Sequence, residues 1–226
     1  MMLPKSKFTK LLGLIAFPLV IMQLTCCAHM TPLTAAAKQG DVAMIKELLK
    51  KGSKIDEPNS GKWSATPLYW SLSDCKFEAA EILLKKDANA NSADSFGLAP
   101  LQLAVCCKDV DLSFIEYFIQ KGADVNYGST SDGLTSLHHA ISCGADDVAR
   151  LLIEKGANVN ALAEDGTSPL ILAAKKDSVF IAKFLLEKGA DVDWRDFKKK
   201  NAMSYAKGFF TKKKKMIQIL ESAGGK

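Results

Sequence analysis

A short pattern returns six times along this chain of 226 residues: Thr31-Pro32-Leu33, Thr66-Pro67-Leu68, Ala99-Pro100-Leu101, Thr135-Ser136-Leu137, Ser168-Pro169-Leu170 and Asn201-Ala202-Met203. The spacings are 35, 33, 36, 33 and 33 residues. Self-similarity at such a period means stacked supersecondary units, none of which can bury its apolar face alone. Most globular folds are thereby excluded.

More than the tripeptide is repeated. Three residues after each Leu or Met comes a small residue: Ala36, Ser71, Ala104, Ala140, Ala173 and Ala206. An apolar doublet follows (Leu48-Leu49, Leu83-Leu84, Phe118-Ile119, Leu151-Leu152, Leu185-Leu186, Ile219-Leu220). A stop of the form Lys-Gly-Ala-Asp/Asn-Val-Asn/Asp closes the unit at Lys121–Asn126, Lys155–Asn160 and Lys188–Asp193, and more loosely at Lys51–Asp56 and Lys86–Asn91. Gly at this place fits a left-handed helix C-cap, and Pro at the first helical position has its φ preset. Each unit reads as a short helix, a turn, a second amphipathic helix and a Gly-capped exit.

This unit resembles the ankyrin repeat. Six copies cover Thr31 to about Gly224, near 31–60, 61–93, 94–128, 129–161, 162–194 and 195–226. The resemblance implies an all-α fold, an ankyrin-repeat solenoid of helix-turn-helix units joined by β-hairpin loops. It also implies a non-catalytic protein-protein interaction module, whose partner binds the concave face. Departures are local: extra residues around Cys107–Ser113, a stretched joint at Ile55–Ala65, and Lys199 where the hairpin turn carries Gly. End repeats of a solenoid need a polar outer face, which Lys212–Lys215 supply in the last copy; repeat one is expected to act as the N-terminal cap.

The first 27 residues carry a separate message. Lys5, Lys7 and Lys10 precede an uncharged apolar run, Leu11 to Thr25. That is short of the roughly 20 residues of a membrane span and fits a secretory signal peptide. Leu24-Thr25-Cys26-Cys27 is similar to a bacterial lipobox with Cys27 lipidated, although Cys26 stands where Gly, Ala or Ser is usual. Residues 1–27 are thus expected to be a lipoprotein-like signal peptide; cleavage after Ala28, or an uncleaved anchor, are the alternatives. The expected location is the periplasm or outer membrane, with a lipid anchor.

Charge is distributed unevenly. The chain holds 30 basic and 25 acidic residues, and three of the lysines lie in the leader, leaving +2 beyond it. Residues 194–226 carry ten basic against two acidic residues, a net of +8, so the body from 28 to 193 is at −6. A basic end could favour anionic lipid, an acidic partner or nucleic acid; a solvated cap that keeps the stack from extending is the preferred reading. No nucleic-acid partner is expected, since no reading motif accompanies the lysines.

Cys75, Cys106, Cys107 and Cys143 fall at the end of the first helix on three consecutive repeats. In an oxidising compartment this points to Cys75 bonded to Cys106 or Cys107, and the remaining one to Cys143. Packed helices lie about 8–10 Å apart and a disulfide needs Cα atoms within about 7 Å, so the insertion in repeat three has to close the gap. Four small apolar residues in tight turns is the alternative. No paired C-x-x-C spacing suggests zinc.

His138 follows Leu137 where ankyrin-type repeats commonly carry a histidine that ties neighbouring turns together. No catalytic constellation is found: no G-x-S-x-G, phosphate loop, H-E-x-x-H or motivated carboxylate dyad. Neither cofactor, metal nor small-molecule substrate is expected. What remains is a surface. The resemblance maps the hairpin tips to Lys62 and Trp63, Ser95 and Phe96, Ser131 and Asp132, Glu164 and Asp165, Phe197 and Lys198. First helices add Tyr69, Trp70, Ser73, Asp74, His139, Lys175, Lys176 and Tyr205, while Leu103 and Leu172 are read as packing. Trp63, Tyr69, Trp70 and Phe96 form the expected hot spot, with helix packing as the competing role for Tyr69 and Trp70. An immunity-type inhibitor of a toxin or secreted effector, and an envelope structural adaptor, are the alternative functions.

Overall fold

In a computed structural model of the protein, residues 30–208 and 213–225 are described. The segment 1–27 expected to be a signal peptide (with Cys27), the alternative cleavage position at Ala28, and Lys212 lie outside the described residues. Among the described residues twelve helices run in six antiparallel pairs: α1 (Pro32–Gln39) with α2 (Val42–Lys50), α3 (Pro67–Ser73) with α4 (Phe77–Lys85), α5 (Pro100–Ala104) with α6 (Leu112–Gln120), α7 (Ser136–Cys143) with α8 (Asp146–Glu154), α9 (Pro169–Lys176) with α10 (Val179–Glu187), and α11 (Ala202–Lys207) with α12 (Lys214–Ser222). First helices stack on first helices and second on second, α1 to α3 to α5 and α2 to α4 to α6, through all six pairs. This is a solenoid in which each pair touches only its neighbours. The small-residue column makes the stack close: Ser71, Ala104, Ala140, Ala173 and Ala206 are fully enclosed and Ala36 is 4% exposed. The buried core begins at Leu33 and ends at Leu220.

Capping explains why helices start where they do. The side-chain oxygens of Thr31, Thr66, Ser168 and Asn201 accept the amide of the residue three further on, at 2.9–3.4 Å. Ala99 has no such oxygen, and Gln102 instead satisfies a different donor, accepting the Ala99 amide at 2.7 Å. His138 does the same for Thr135, its Nδ1 accepting the amide at 3.2 Å. Both side chains then reach the next repeat, Gln102 donating to the Leu134 carbonyl and His138 Nε2 to the Thr167 carbonyl at 3.2 Å. A neutral imidazole supplies one acceptor and one donor, so His138 is satisfied only when uncharged. The exits close as read from sequence: Gly52, Gly122, Gly156 and Gly189 have φ of 86–94°, and the amides of Gly156 and Ala157 reach Ile153 and Leu152 in a Schellman turn.

The last residue of the exit motif has a role that sequence reading missed. The Asn126 carboxamide accepts the Asn158 amide at 2.7 Å and donates to the Gly156 carbonyl at 3.1 Å. Asn91 and Asn160 make the same double bond to Asp124 with Gly122 and to Asp191 with Gly189. Asp56, lacking an N–H, makes only the accepting half, to Asn89. These side chains form a ladder along the exits, with one rung at each of the first four joints.

At the opposite edge, the expected hairpins are turns. Among the described residues there is one isolated antiparallel bridge, Gly128 to Thr135, and no ladder. The tips spend their backbone groups on one another instead: Ser95 donates to Trp63 O, Glu164 to Asp132 O and Phe197 to Asp165 O at 2.7–3.1 Å. Gly97 is required here, with φ 75° and the position of a Cβ only 2.0 Å from Thr130 Oγ1.

Two disulfides join three repeats: Cys75 to Cys107 and Cys106 to Cys143, with Cα atoms 5.7 and 5.6 Å apart. Such distances are reached because Cys75, Cys106 and Cys107 lie in turns and Cys143 is the last residue of α7, so no bond has to span two facing helices. α5 ends at Ala104, so Cys106 and Cys107 follow it in the turn. Cys75 adopts φ 53° at the position that Gly40, Gly144 and Asp177 occupy elsewhere. Lys213, from the basic run, donates to the Ala174 and Lys175 carbonyls at 2.7 Å and so caps the end of α9.

Burial pushes His138 from 6.5 down to about 4. The unfolded chain therefore binds the extra proton between those values, so its contribution is complete above pH 6.5 and is lost as pH falls toward 4, about 3 kcal/mol over the window. Denaturant titrations from pH 7 to pH 4 should show that slope, and His138→Gln, which copies Gln102, should flatten most of it; the remainder belongs to His139, also lowered by burial. For the exit ladder, Asn126→Ala should cost about 1–2 kcal/mol, from net hydrogen-bond values near 1 kcal/mol each. Asn126→Asp, which retains only the acceptor, should cost about half of that in the same urea titration.

Candidate functional site

Tips and first helices present one continuous face, and its chemistry changes along the stack. At repeats two and three the Trp63 and Phe96 rings lie 5.1 Å apart, tilted at 59°. They are 46% and 38% exposed, because tip residues have no second layer above them. Trp70 stands beside them on α3, half-buried, with Nε1 donating to Asn59 Oδ1 at 3.0 Å. Lys38 Nζ sits over its ring at 4.5 Å and Lys62 Nζ is 5.7 Å from the Phe96 ring. A depression of about 220 Å³ lies between them, lined by Met30, Asn59, Lys62, Trp63 and Trp70. Exposed aromatic area beside cations is the composition of a contact surface that is stiff before binding.

Farther along, the face turns acidic. Asp132, Glu164 and Asp165 surround a depression of about 490 Å³ whose floor includes Leu134, Ala163 and Leu172. Lys175 reaches into it, donating to Thr167 Oγ1 at 3.0 Å with its Nζ 4.6 Å from the Tyr205 ring. The Thr167 hydroxyl and amide, and then Lys175, hold the Asp165 carboxyl below the usual carboxylate range although burial opposes them. Phe197 closes this end at 76% exposure, lying over Gly166.

Several sequence-derived site residues change role. Tyr69 is 4% exposed and its hydroxyl donates to Asp94 at 2.9 Å, so it is not a contact residue but a tie from α3 to the next tip. Burial and then Asp94 push its hydroxyl pKa well up. His139 is half-buried and its Nε2 is enclosed without a hydrogen-bond partner, so that end of the ring is closed to a partner. Tyr205 is half-buried and donates to Asp196; burial and that carboxylate push it up to about 12. Asp74 is exposed at the C-cap of α3, beside Ser73, away from the aromatic cluster's hydrogen bonds. Trp63, Trp70 and Phe96 come together; Asp165, Lys175 and Tyr205 form a second group. Lys38 and Asn59 escaped the sequence reading, having no aromatic or tip signal of their own.

No group of three or more His, Cys, Asp or Glu side chains among the described residues is placed to hold a metal ion. Nor is any helix there long and apolar enough to cross a membrane.

Comparison with known proteins agrees with this architecture. The family model described as ankyrin repeats (3 copies) matches residues 9–94 and 86–163, and that of the single ankyrin repeat matches 165–197. Among curated proteins, the mouse B-cell lymphoma 3 protein homolog is 28% identical over 189 residues, covering 79% of this chain and 41% of that protein. The chicken nuclear factor NF-kappa-B p105 subunit is 32% identical over 162 residues, covering 70% of this chain and 16% of that protein. The chain thus spans less than half the length of these relatives. Among solved structures, an ankyrin repeat domain from Acinetobacter baumannii superposes with a TM-score of 0.75 at 26% identity, covering 86% of this chain and 98% of that one. With matched repeats running through most of its length and the same stack of helix pairs, the chain belongs to the ankyrin-repeat family.

Proposed function

We propose that this chain is an exported bacterial interaction module that binds a partner protein through its tips and first helices and catalyses nothing. Ankyrin repeats are in general non-catalytic protein-protein interaction scaffolds. The observation that carries the reading here is the exposed Trp63–Phe96 pair beside Trp70, flanked by Lys38 and Lys62. Large aromatic rings lose little side-chain entropy on binding and dominate interface energetics. The two disulfides that cross-link repeats two, three and four support an oxidising compartment, as does the basic, then apolar, leader with Cys27 as its lipidation candidate. Cell envelope, either periplasm or outer membrane, is the location that these features support. A second reading, an inhibitor of a secreted effector, is favoured by Asp132, Glu164 and Asp165 around one depression, a match for a basic target.

Two measurements test this. Affinity capture from envelope extract should retain a partner with the wild-type chain and lose it with Trp63→Ala/Phe96→Ala, whose melting temperature stays close to wild type because both side chains are exposed. An identical set of proteins captured by both variants would remove the aromatic tips as the site. Peptide mapping without reductant should recover Cys75 linked to Cys107 and Cys106 linked to Cys143. Four free thiols in protein isolated from the envelope would refute both disulfides and remove their support for an oxidising compartment.

A further inference from the structure

The outer face of repeats one and two differs from the rest of the stack. α2 and α4 leave a groove of about 540 Å³ between them, floored by Leu49 and Ile82 and walled by Lys46, Lys50, Lys85 and Lys86. All four lysines are exposed and both floor residues half-buried. The position before the stop lysine is Lys50 and Lys85 here but Gln120, Glu154 and Glu187 in repeats three to five. Glu154 and Glu187 pair with Arg150 and Lys183 on their own helices, at 3.0 and 3.9 Å. In repeats one and two the nearby carboxylates Glu47 and Glu81 are engaged by Lys51 and Lys85, at 2.5 and 2.6 Å. Lys46, Lys50 and Lys86 enter none of the ion pairs among the described residues. A body of net charge −6 thus carries a local cationic groove with an aliphatic floor.

We propose that this groove seats the outer side of repeats one and two on an anionic phospholipid surface, the lysines meeting headgroup phosphates. Continuity with the leader argues for lipid over an acidic protein. Four residues lie between Cys27 and Pro32 at the start of α1, five steps with a reach of at most about 18 Å, so the candidate anchor and the groove belong to the same end of the stack. One acyl chain holds a protein only marginally, and a basic patch is the usual second signal. Docking by the outer face leaves the tips turned away and free for a partner. The inference rests on the anchored reading for its biological setting, while its physical content is tested without the anchor.

Residues 30–226 contain the whole core from Leu33 to Leu220 and can be sedimented with vesicles directly. This segment should bind phosphatidylglycerol-containing vesicles, fail to bind pure phosphatidylcholine, and be released by about 0.5 M NaCl, where screening shortens to a few ångström. Lys46→Gln/Lys50→Gln/Lys86→Gln should weaken partitioning on the order of a hundredfold, from the contribution of each lysine near an anionic surface. Lys198→Gln/Lys207→Gln/Lys215→Gln, at the other end, should retain it, and unchanged circular dichroism melts establish that both variants fold. Equal losses in the two variants, binding to phosphatidylcholine, or no binding at all would overturn the proposal. Amine labelling of the full chain in envelope membranes supplies the alternative occupant: protection of Lys46, Lys50 and Lys86 there, but not on phosphatidylglycerol vesicles, would overturn lipid and indicate an acidic protein. Absence of acyl labelling at Cys27 would remove the anchor and leave the vesicle result standing.

Discussion

Everything in this molecule depends on nearest-neighbour stacking through one column of small residues. A pair such as α7 and α8 has no hydrophobic core of its own; Leu137, Ile141 and Leu152 are enclosed only because repeats three and five lie against them. Ala104, Ala140 and Ala173 at the contact let the first helices approach until side chains of one repeat reach backbone groups of the next. That approach makes the polar ties possible at both edges: the Asn ladder at the exits, and the Gln102 and His138 bonds at the tips. A bulkier residue in the column would separate the helices and break several of these bonds together, so apolar packing and polar registration are not independent.

Reinforcement along the stack is uneven in a way that bears on binding. Joints two–three and three–four carry disulfides, while joint one–two has the half-rung of Asp56. The cross-linked block bears both Trp63 and Phe96. A solenoid bends by small rotations at each joint, and a cross-link restricts that rotation before a partner arrives, lowering the ordering cost of association. Cys75 accepts a left-handed backbone at the same place, a conformation that costs a non-glycine residue roughly 1–2 kcal/mol.

Much of the fold was legible because the signals repeat. Pro32, Pro67, Pro100 and Pro169 all open helices, and a reading made six times averages out local exceptions. Pairing of the cysteines was legible to within the choice at Cys106 and Cys107; what decided it was the early end of α5, which composition does not encode. The site was less legible for a physical reason. Sequence gives which residues lie on a helix face, but not whether the next repeat has a carbonyl within reach. Tyr69 and Trp70 are adjacent aromatics with the same propensities. Tyr69 stands three positions after its N-cap, the same place as Gln102 and His138, and is drawn into the tip ties, while Trp70 at the fourth remains half-exposed. Asn126 was invisible for the converse reason: a small amide in a loop signals a turn, and only stacking reveals the two groups it bridges.

The division between third and fourth positions also explains how one scaffold separates stability from recognition. The third positions of repeats two to four use side-chain polarity to hold successive tips in register, so their identity is constrained by what the next repeat offers: an acid for Tyr69, a carbonyl for Gln102 and His138. Fourth positions are less uniform, Tyr205 donating to Asp196 within its own repeat, and with the tip apices they carry Trp70, Trp63 and Phe96 at one end and Leu172 with Glu164 at the other. Recognition chemistry therefore varies along the face without disturbing the stack beneath it. The second helices are divided in the same sense on the opposite side: Ile45, Ala80, Ile115, Ala149 and Ile181 are enclosed in the core together with doublet members such as Leu83, Leu152 and Leu185, while the outward positions are free. That freedom is what lets the outer face be cationic at repeats one and two while the tips of repeats four and five are acidic, giving the chain two surfaces of opposite charge that do not compete for residues.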